Sequence, residues 1–278
     1  MMTKTDVLVI GTGLAGLFTA LTIAPRHSVL LLAKEAVANS NSMLAQGGIA
    51  AELTDDPIRL GSHFEDTLKA GAYLNDPDAV RFLVKNASEA IEDLVAFGIH
   101  FDKDENNNYL LTKEGGHSQR RILHLGGDAS GYHATRGLAT ILDRHPNISL
   151  VEQAVALDLL TDAKGTVIGA SVLLNDATYF PVYAKIVILA TGGIGSIYGS
   201  TTNDLSATGD GIGMAARVKA RIEGMEFVQF HPTALYAESR ENRRRFLISE
   251  ALRGEGAILL NIQKERFMEK YEIGRAHV

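Results

Sequence analysis

Three glycines near the start of the chain have the spacing of a phosphate-binding turn. Gly11, Gly13 and Gly16 form the pattern Gly-x-Gly-x-x-Gly between a short apolar run and a helical pattern. Gly11 allows the tight turn, Gly13 lets a pyrophosphate approach the backbone, and Gly16 lets the helix pack closely on the strand. The first amides of the helix and the positive end of its dipole then favour the phosphates. The pattern predicts dinucleotide binding, and a purely structural glycine turn is the competing interpretation.

Further glycine-rich turns indicate a cofactor that is more extended than NAD. Asn39–Gly48 is a polar loop that ends in two glycines, and the segments 191–195 and 208–211 place glycines where strands end or helices begin. The acidic residue that holds the ribose of NAD is missing, because the sequence at 33–35 is Ala-Lys-Glu. Several phosphate and hydroxyl contacts suit FAD. Taken alone, Asn39–Gly48 could equally be a surface loop.

Ionisable residues lie among glycines from 114 to 131, so a metal site has to be considered. His117, His124 and His133 do not have the spacing of paired ligands on a helix, and the chain contains no cysteine. The acidic segment 101–108 lacks the glycine and the distal glutamate of an EF-hand. The sequence therefore predicts no metal, and it excludes disulfides, thiolate ligation and a cysteine nucleophile.

These candidate residues need a framework of alternating strands and helices. Short apolar runs predict buried strands, and apolar residues at helical spacing predict helices that pack on them. The predicted strands are 5–10, 28–33 and several short ones within 148–190, with a hairpin turn at 162–165; the predicted helices are 17–24, 76–98 and 211–219. The expected fold class is therefore α/β.

Composition and charge limit the possible partners. The chain has 278 residues, of which 46% are hydrophobic and 22% are charged, as in a globular protein of one large domain or two smaller ones. Its net charge of −6 does not favour nonspecific binding to nucleic acid or to a membrane surface. The uncharged stretch Val7–Ala24 could be a membrane span or a signal-peptide core, but its three glycines favour a strand, a turn and a helix. We expect a soluble cytoplasmic protein with no nucleic-acid or membrane partner.

An ordered set of short motifs is more specific than any one of them. The motifs are GTGLAGL at 11–17, AQGGIAA at 45–51, EGGHSQRRILH at 114–124, ATGG at 190–193, TGDG at 208–211, QFHPTAL at 229–235 and SEALRGEG at 249–256. Up to about Tyr271, the chain resembles the flavoproteins of the succinate dehydrogenase and fumarate reductase group, and within it the L-aspartate oxidases. The resemblance implies a GR2-type Rossmann-like FAD-binding fold with a β-rich insertion, followed by the start of an α+β capping domain.

The resemblance also implies domains and cofactor contacts. The FAD-binding domain would cover 1–222 and the start of the capping domain 223–278, both incomplete. FAD would be held noncovalently, because Asn41 stands where covalent members of the group carry the histidine that attaches the flavin. Lys34 would lie near the adenosine and Asp210 near the ribityl–phosphate region. The implied FAD contacts are Gly11, Thr12, Gly13, Leu14, Ala15, Gly16, Lys34, Asn41, Ser42, Ala45, Gln46, Gly47, Gly48, Thr191, Gly192, Gly193 and Asp210.

The chemistry implied by the resemblance is oxidation of L-aspartate to iminoaspartate. The α-carbon would lose a hydride to flavin N5, and O2 or fumarate would reoxidise the flavin. His231 and Ser249 would bind a substrate carboxylate, and Glu114 would pair with the α-ammonium that succinate lacks. Glu250 and Arg253 lie next to this implied site. The reaction begins the aspartate route to quinolinate and NAD, so quinolinate synthase would be the pathway neighbour.

Two alternatives to an active aspartate oxidase stay open. In this family the arginine that accepts the substrate proton follows RFMEKY in a Pro-Arg-Asp pattern, whereas here the segment 272–278 follows, and Arg275 does not match. We therefore expect a fragment, for which a noncatalytic FAD-binding remnant is one alternative. A noncovalent fumarate reductase is the other, although Glu114 disfavours it. His231 without the resemblance would be interpreted as a buried structural histidine.

Overall fold

The computed structural model describes residues 4–142, 144–231, 233–236, 243–249, 252 and 256–270. These residues fall into two units. Unit 1 takes its described residues from Met1–Ala45, Ala134–Phe230 and Tyr236–Phe246, and unit 2 takes them from Gln46–His133, His231–Leu235 and Leu247–Val278. The domain boundary between residues 222 and 223 stays a prediction.

The framework of unit 1 is a single mixed sheet. Its strands are β1 (Lys4–Ile10), β2 (Val29–Leu32), β6 (Ile148–Val151), β7 (Ala154–Thr161), β8 (Val167–Leu174) and β9 (Tyr179–Leu189). The strand order is β6-β2-β1-β9-β8-β7. The first four strands in that order pair in parallel, whereas β9, β8 and β7 form an antiparallel meander. The predicted α/β class is confirmed, and the meander is its β-rich part.

The burial of unit 1 follows the position of each strand in the sheet. All four residues of β2 are buried, because β1 and β6 flank it on either side. Side chains from β1, β2, β8 and β9 form one apolar cluster with a helical methionine. Its members include Leu8, Leu30, Val172, Val182 and Met214.

Three helices of unit 1 lie next to glycine-rich turns. They are α1 (Leu14–Ile23), α2 (Asn41–Leu44) and α6 (Asp210–Arg217). The first begins three residues earlier than predicted, because Gly13 already has the extended backbone of an N-cap. The third ends before its predicted limit, and Lys219 beyond it has a φ of 64°. The short helix α2 replaces part of the loop predicted over Asn39–Gly48.

The elements of unit 2 are a small sheet and a pair of helices. Strands β3 (Ile49–Ala50), β4 (Leu111–Thr112) and β5 (Ile122–Leu123) pair antiparallel in the order β3-β5-β4. Helices α3 (Pro57–Ala70) and α4 (Pro77–Ala96) pack on each other. Helix α5 (Ser130–Leu142) carries the chain from unit 2 into unit 1.

Helix α4 confirms the helix predicted over 76–98, and only part of its apolar surface is buried. Asp76 accepts a hydrogen bond from the amide of Asp78 at 2.8 Å and so caps its N-terminus. The buried residues Val80, Val84, Ile91 and Leu94 lie at helical spacing on one face. Two other apolar residues of this helix, Leu83 and Val95, are exposed.

The uncharged stretch Val7–Ala24 is divided between two elements. It contains the end of β1, the glycine turn and the ten residues of α1. Among the helices in the described part of the chain, none has both the length and the apolar composition that crossing a bilayer requires.

Candidate functional site

A cavity of about 320 Å³ lies in unit 1 where parallel strands end. The amide of Gly11 donates to the carbonyl of Leu32 at 2.9 Å, and the amide of Ala190 donates to that of Ile10 at 2.8 Å. The chain therefore leaves three neighbouring strands at one edge, the position where open α/β sheets bind ligands. Predicted FAD contacts that line the cavity are Gly11, Thr12, Gly13, Ala15, Lys34, Asn41, Ser42, Thr191, Gly192 and Asp210.

Other predicted contacts lie outside that lining. Leu14, Gly16, Ala45 and Gly193 are not among the described residues that line the cavity. Three more belong to unit 2, and they are Gln46, Gly47 and Gly48.

The glycines of the first turn have two different roles. A Cβ on Gly11, whose φ is +113°, would lie 2.1 Å from the carbonyl oxygen of Ala190, and one on Gly16 would lie 1.9 Å from that of Gly11. These two glycines allow backbone segments to approach each other. A Cβ on Gly13 would meet only the hydroxyl of Ser42, at 3.0 Å. Gly13 therefore shapes the cavity, whereas Gly11 and Gly16 shape the fold.

The N-terminus of α1 opens on this cavity. Its first turn contains no acidic residue, and its N-cap Gly13 has no side chain to satisfy the helix amides. The amide of Leu14 donates to Ser42 Oγ at 2.9 Å. The helix end thus combines positive dipole with backbone donors, as an anion site requires.

A lysine and an aspartate pair directly at the same cavity. Lys34 Nζ lies 2.8 Å from Asp210 Oδ2 and 2.8 Å from Thr208 Oγ1. Partial burial acts to raise the pKa of Asp210, but the hydrogen bonds from Lys34 and Thr208 and the lysine charge outweigh it. The pKa of Asp210 therefore lies below its ordinary value. The two side chains that the resemblance directs to different parts of FAD are in contact in this structure.

The short helix α2 presents Asn41 and Ser42 to the cavity. Ser40 caps it by accepting a hydrogen bond from the amide of Met43. Asn41 Oδ1 accepts a hydrogen bond of 2.6 Å from the amide of Asp204. The side chain at the position of the covalent enzymes' histidine is thus an amide fixed by the backbone.

Four residues from distant parts of the sequence meet in unit 2, and we call them the Gly47 cluster. Gly47 donates its amide hydrogen to Asp128 Oδ1 at 2.7 Å, and Ser249 Oγ donates to the same oxygen at 2.8 Å. Glu114 also lies against Gly47, because its Oε1 is 2.9 Å from the position that a Cβ would take there. The structure therefore brings together Glu114 and Ser249, which the sequence proposed, with Asp128, which it did not.

His231 lies on a segment that is fixed to the one bearing Ser249. Ala234 and Leu247 form an antiparallel bridge, and Thr233 Oγ1 donates to the carbonyl of Ile248 at 3.0 Å. Nδ1 of His231 lies 2.8 Å from the carbonyl oxygen of Thr233 and 3.3 Å from its amide nitrogen, so the backbone of Thr233 occupies this ring nitrogen.

Two further predicted catalytic residues have no described position. They are Glu250 and Arg253, which lie outside the described residues.

A second buried group of unit 2, the Arg121 network, was missed from the sequence. The Arg121 side chain is completely buried and donates to Glu52 Oε1, Asp66 Oδ2 and Ser62 Oγ, each at 2.6 Å. Arg59 Nε donates to the other oxygen of Glu52 at 2.8 Å. The only signal in the sequence is an arginine immediately before the apolar residues of β5, a pattern that does not by itself indicate burial of the arginine.

The histidines considered for a metal make other contacts. His124 contacts Thr112 Oγ1 at 2.6 Å through Nε2 and the carbonyl of Gly127 at 3.0 Å through Nδ1. His133 lies against Gly126, and His117 lies 3.2 Å from Arg121. In the described ranges, no group of three or more acidic or histidine side chains is arranged to hold a metal ion.

Comparison with known proteins supports FAD as the cofactor. L-aspartate oxidase 2-a of Nicotiana tabacum is 43% identical over 277 residues, which cover 96% of this chain and 42% of the tobacco protein. The L-aspartate oxidase of Vibrio cholerae is 43% identical over 96% of this chain and 51% of its own length. This chain therefore spans about half the length of the curated relatives it matches.

Solved structures of fumarate reductases are also similar to this chain. A variant of E. coli quinol fumarate reductase superposes with a TM-score of 0.88 at 30% identity, over 100% of this chain and 48% of that one. A flavocytochrome c3 fumarate reductase superposes with a TM-score of 0.78 at 28% identity, over 93% and 47%. The predicted resemblance to the L-aspartate oxidases and to the fumarate reductase group is confirmed. Because residues 6–278 match the family described as FAD binding domain, the chain belongs to that family.

Proposed function

We propose that this chain provides the FAD site and part of the substrate site for oxidation of L-aspartate to iminoaspartate. O2 or fumarate would be the final electron acceptor, and quinolinate synthase would use the product in NAD formation. The observation that carries the proposal is the position of Glu114 beside Gly47, on the loop that the resemblance directs to the flavin. We also propose a cytoplasmic location, which is compatible with a chain that lacks cysteine.

The residues present fit FAD on observations of their own. Gln46 Oε1 is buried and has no hydrogen-bond partner in the part of the chain that the structure describes. A Cβ on Gly192 or Gly193 would project into open space, so the backbone there is accessible to a ligand. The donors of the α1 N-terminus suit the diphosphate. When bound, FAD supplies the hydride acceptor that amine oxidation requires.

The side chains of unit 2 can bind and orient an amino dicarboxylate. Nδ1 of His231 faces the backbone of Thr233, so Nε2 is the ring nitrogen left for a ligand. An Nε2–H would donate to a substrate carboxylate. Glu114 offers a carboxylate to the α-ammonium, which orients the α-carbon and disfavours succinate.

The noncovalent fumarate reductase is the second candidate, and the TM-score of 0.88 with a fumarate reductase supports it. Both candidates involve noncovalent FAD, which agrees with the fixed amide of Asn41. They differ in the need for a carboxylate that pairs with an ammonium, and Glu114 favours aspartate. Turnover of either substrate would distinguish both enzymes from the noncatalytic remnant.

The experiment is a visible flavin spectrum of the purified chain loaded with FAD, recorded without oxygen before and after L-aspartate or succinate. Bleaching by L-aspartate and not by succinate supports the proposal. Bleaching by succinate, or reoxidation of chemically reduced flavin by fumarate without any response to L-aspartate, would favour the fumarate reductase. Flavin that binds and stays oxidised with both compounds would indicate the remnant.

A further inference from the structure

The segment 204–208 forms part of the wall of the cavity in unit 1. Ser206 and Ala207 line the cavity, whereas Asp204 is not among the described residues that line it. The segment leads into α6, whose first residue, Asp210, also lines the cavity. It belongs to no helix or strand. Its shape therefore depends on the hydrogen bonds that side chains and neighbouring loops make with it.

Asp204 fixes the start of this segment through three different groups. Its amide donates to Asn41 Oδ1 at 2.6 Å, which joins the segment to α2. Its carboxylate oxygen Oδ1 accepts from the amide of Ser206 at 2.9 Å and from the hydroxyl of Ser206 at 2.6 Å. Its carbonyl accepts from the amide of Ala207 at 3.1 Å. The two lining residues of the segment are thus held by a residue outside the lining.

Other side chains hold the rest of the segment. Ser196 Oγ donates to the carbonyl of Leu205 at 2.9 Å. Lys34 Nζ donates to the carbonyl of Ser206 at 3.3 Å and to Thr208 Oγ1 at 2.8 Å. These contacts join the segment to the loop after β9 and to the end of β2. The bond to α2 is different, because it depends on the side chain at the position of the covalent enzymes' histidine.

We infer that Asp204 is a positioning residue for FAD, which fixes the cavity wall 204–208 against α2 through the side chain of Asn41. In the covalent enzymes the side chain at this position retains the flavin by a bond to the cofactor, whereas here it binds another segment of the protein. A wall that is in place before FAD arrives needs less ordering on binding, which raises the affinity for a noncovalent cofactor. The inference concerns the cofactor alone and holds for either proposed substrate.

The first test compares FAD affinity with the stability of the FAD-free chain. Quenching of flavin fluorescence gives the dissociation constant, and circular dichroism gives the midpoint of thermal unfolding. Asp204→Ala removes the acceptor of the two Ser206 hydrogen bonds, and we expect it to weaken FAD binding about 3- to 10-fold. Asp204→Asn keeps an acceptor oxygen and should stay within about 2-fold of the unchanged chain.

Asp162→Ala is the matched control for that change. Asp162 Oδ1 also accepts from the amide two residues later, that of Lys164 at 2.9 Å, and this turn is not among the described residues that line the cavity. The control removes the same charge and the same kind of turn contact. It should lower the unfolding midpoint about as much as Asp204→Ala does and leave FAD affinity unchanged, which a merely structural role of Asp204 would not produce.

A double-mutant cycle tests the bond to Asn41. Asp204→Pro removes the amide hydrogen that Asn41 accepts. Asn41→Ala should weaken FAD binding at least about 3-fold in the unchanged chain, because it removes the acceptor. In the Asp204→Pro background the same change should weaken binding less than about 2-fold, since the bond is already lost. A residue that contacted FAD independently of Asp204 would have the same effect in both backgrounds.

The outcomes separate the inference from the proposed function. FAD affinity that Asp204→Ala leaves intact, or that Asp162→Ala lowers equally, would overturn the inference, and this comparison decides the case if Asp204→Pro does not fold. Equal effects of Asn41→Ala in the two backgrounds would also overturn it. Confirmed coupling in a chain whose flavin does not respond to L-aspartate would keep the inference and count against the proposed function. An unchanged chain that does not bind FAD would overturn both.

Discussion

The cavity of unit 1 depends mainly on backbone, whereas the Gly47 cluster of unit 2 depends mainly on side chains. The cavity is formed by backbone at the ends of neighbouring strands, with glycines that let segments approach within distances no other residue permits. In the Gly47 cluster, the Asp128 side chain accepts hydrogen bonds from the Ser249 hydroxyl and from the amide of Gly47, and the carboxyl of Glu114 lies beside Gly47. The first site is therefore a property of local backbone geometry, and the second is a property of long-range folding.

This difference extends to how each unit is stabilised. Unit 1 has an apolar cluster between strands and helix, and at Gly11 and Gly16 its backbone segments lie too close together to admit a side chain. Unit 2 buries Arg121, Glu52 and His63 beside its small sheet and α3. The stability of a buried ion depends on its charged and hydrogen-bonding partners. The stability of a close contact at glycine depends on the absence of side-chain volume there. Mutations should therefore damage the two units through different mechanisms and with different dependence on pH.

The largest effect should come from adding one methyl group to unit 1. In Gly16→Ala the new Cβ would lie 1.9 Å from the carbonyl oxygen of Gly11, a backbone atom that cannot move aside. We expect a loss on the order of 5 kcal/mol in the free energy of unfolding. Urea unfolding followed by circular dichroism measures it.

Gly61→Ala is the matched control for that change, because it adds the same methyl within α3 and meets no atom within 4 Å. It should stabilise the chain by about 0.5–1 kcal/mol. Similar losses in both variants would show that the close approach at Gly16 is not what unit 1 depends on.

The next effect should come from unit 2 and from charge. Arg121→Met leaves the carboxylates of Glu52 and Asp66 with one cation fewer, and the side chain of Glu52 is completely buried. We expect a loss of about 3 kcal/mol or more in the free energy of unfolding. Arg81→Met is the control, since the ion pair of Arg81 with Asp78 is exposed and should contribute less than about 0.5 kcal/mol. Equal effects on stability would contradict the contrast between buried and exposed charges.

The contrast between local backbone and long-range side-chain contacts also explains which features the sequence could predict. The strand–turn–helix at Gly11–Gly16 and helix α4 follow from local spacing, and both were predicted to within a few residues. Asp128 could not be found in the same way, because its place in the Gly47 cluster depends on contacts with Gly47 and Ser249, which are far away in the sequence. The buried arginine of the Arg121 network resembles any surface arginine until its three partners are placed around it.

A third effect should appear only in unit 2 and only on acidification. Burial, then the charge of Arg121 and the neighbouring His117, lower the pKa of His63 from 6.5 to about 4, although Glu52 and Asp66 oppose the shift. The folded chain keeps His63 neutral, while the unfolded chain binds a proton below pH 6.5. Stability should therefore be complete above pH 6.5 and fall as the pH decreases toward 4, by up to about 1.4 kcal/mol per pH unit.

Comparing urea unfolding of the unchanged chain and His63→Leu between pH 7 and pH 4 isolates this contribution. The variant should have the flatter profile, because leucine does not titrate. Parallel profiles would mean that His63 is protonated in the folded chain over this range.

The smallest effect should separate two glycines within unit 1 itself. Gly13 has φ −68° and ψ 178°, which alanine adopts without strain, and an added Cβ would meet only the hydroxyl of Ser42 at 3.0 Å. Gly13→Ala should therefore change the free energy of unfolding by less than about 1 kcal/mol, while its methyl enters the cavity and weakens FAD binding about 10-fold. Quenching of flavin fluorescence during titration measures the affinity, with Gly61→Ala as the variant that should leave it unchanged. If FAD affinity stays constant while thermal stability falls, Gly13 packs as Gly16 does, and the backbone of unit 1 serves the fold rather than the ligand at this position.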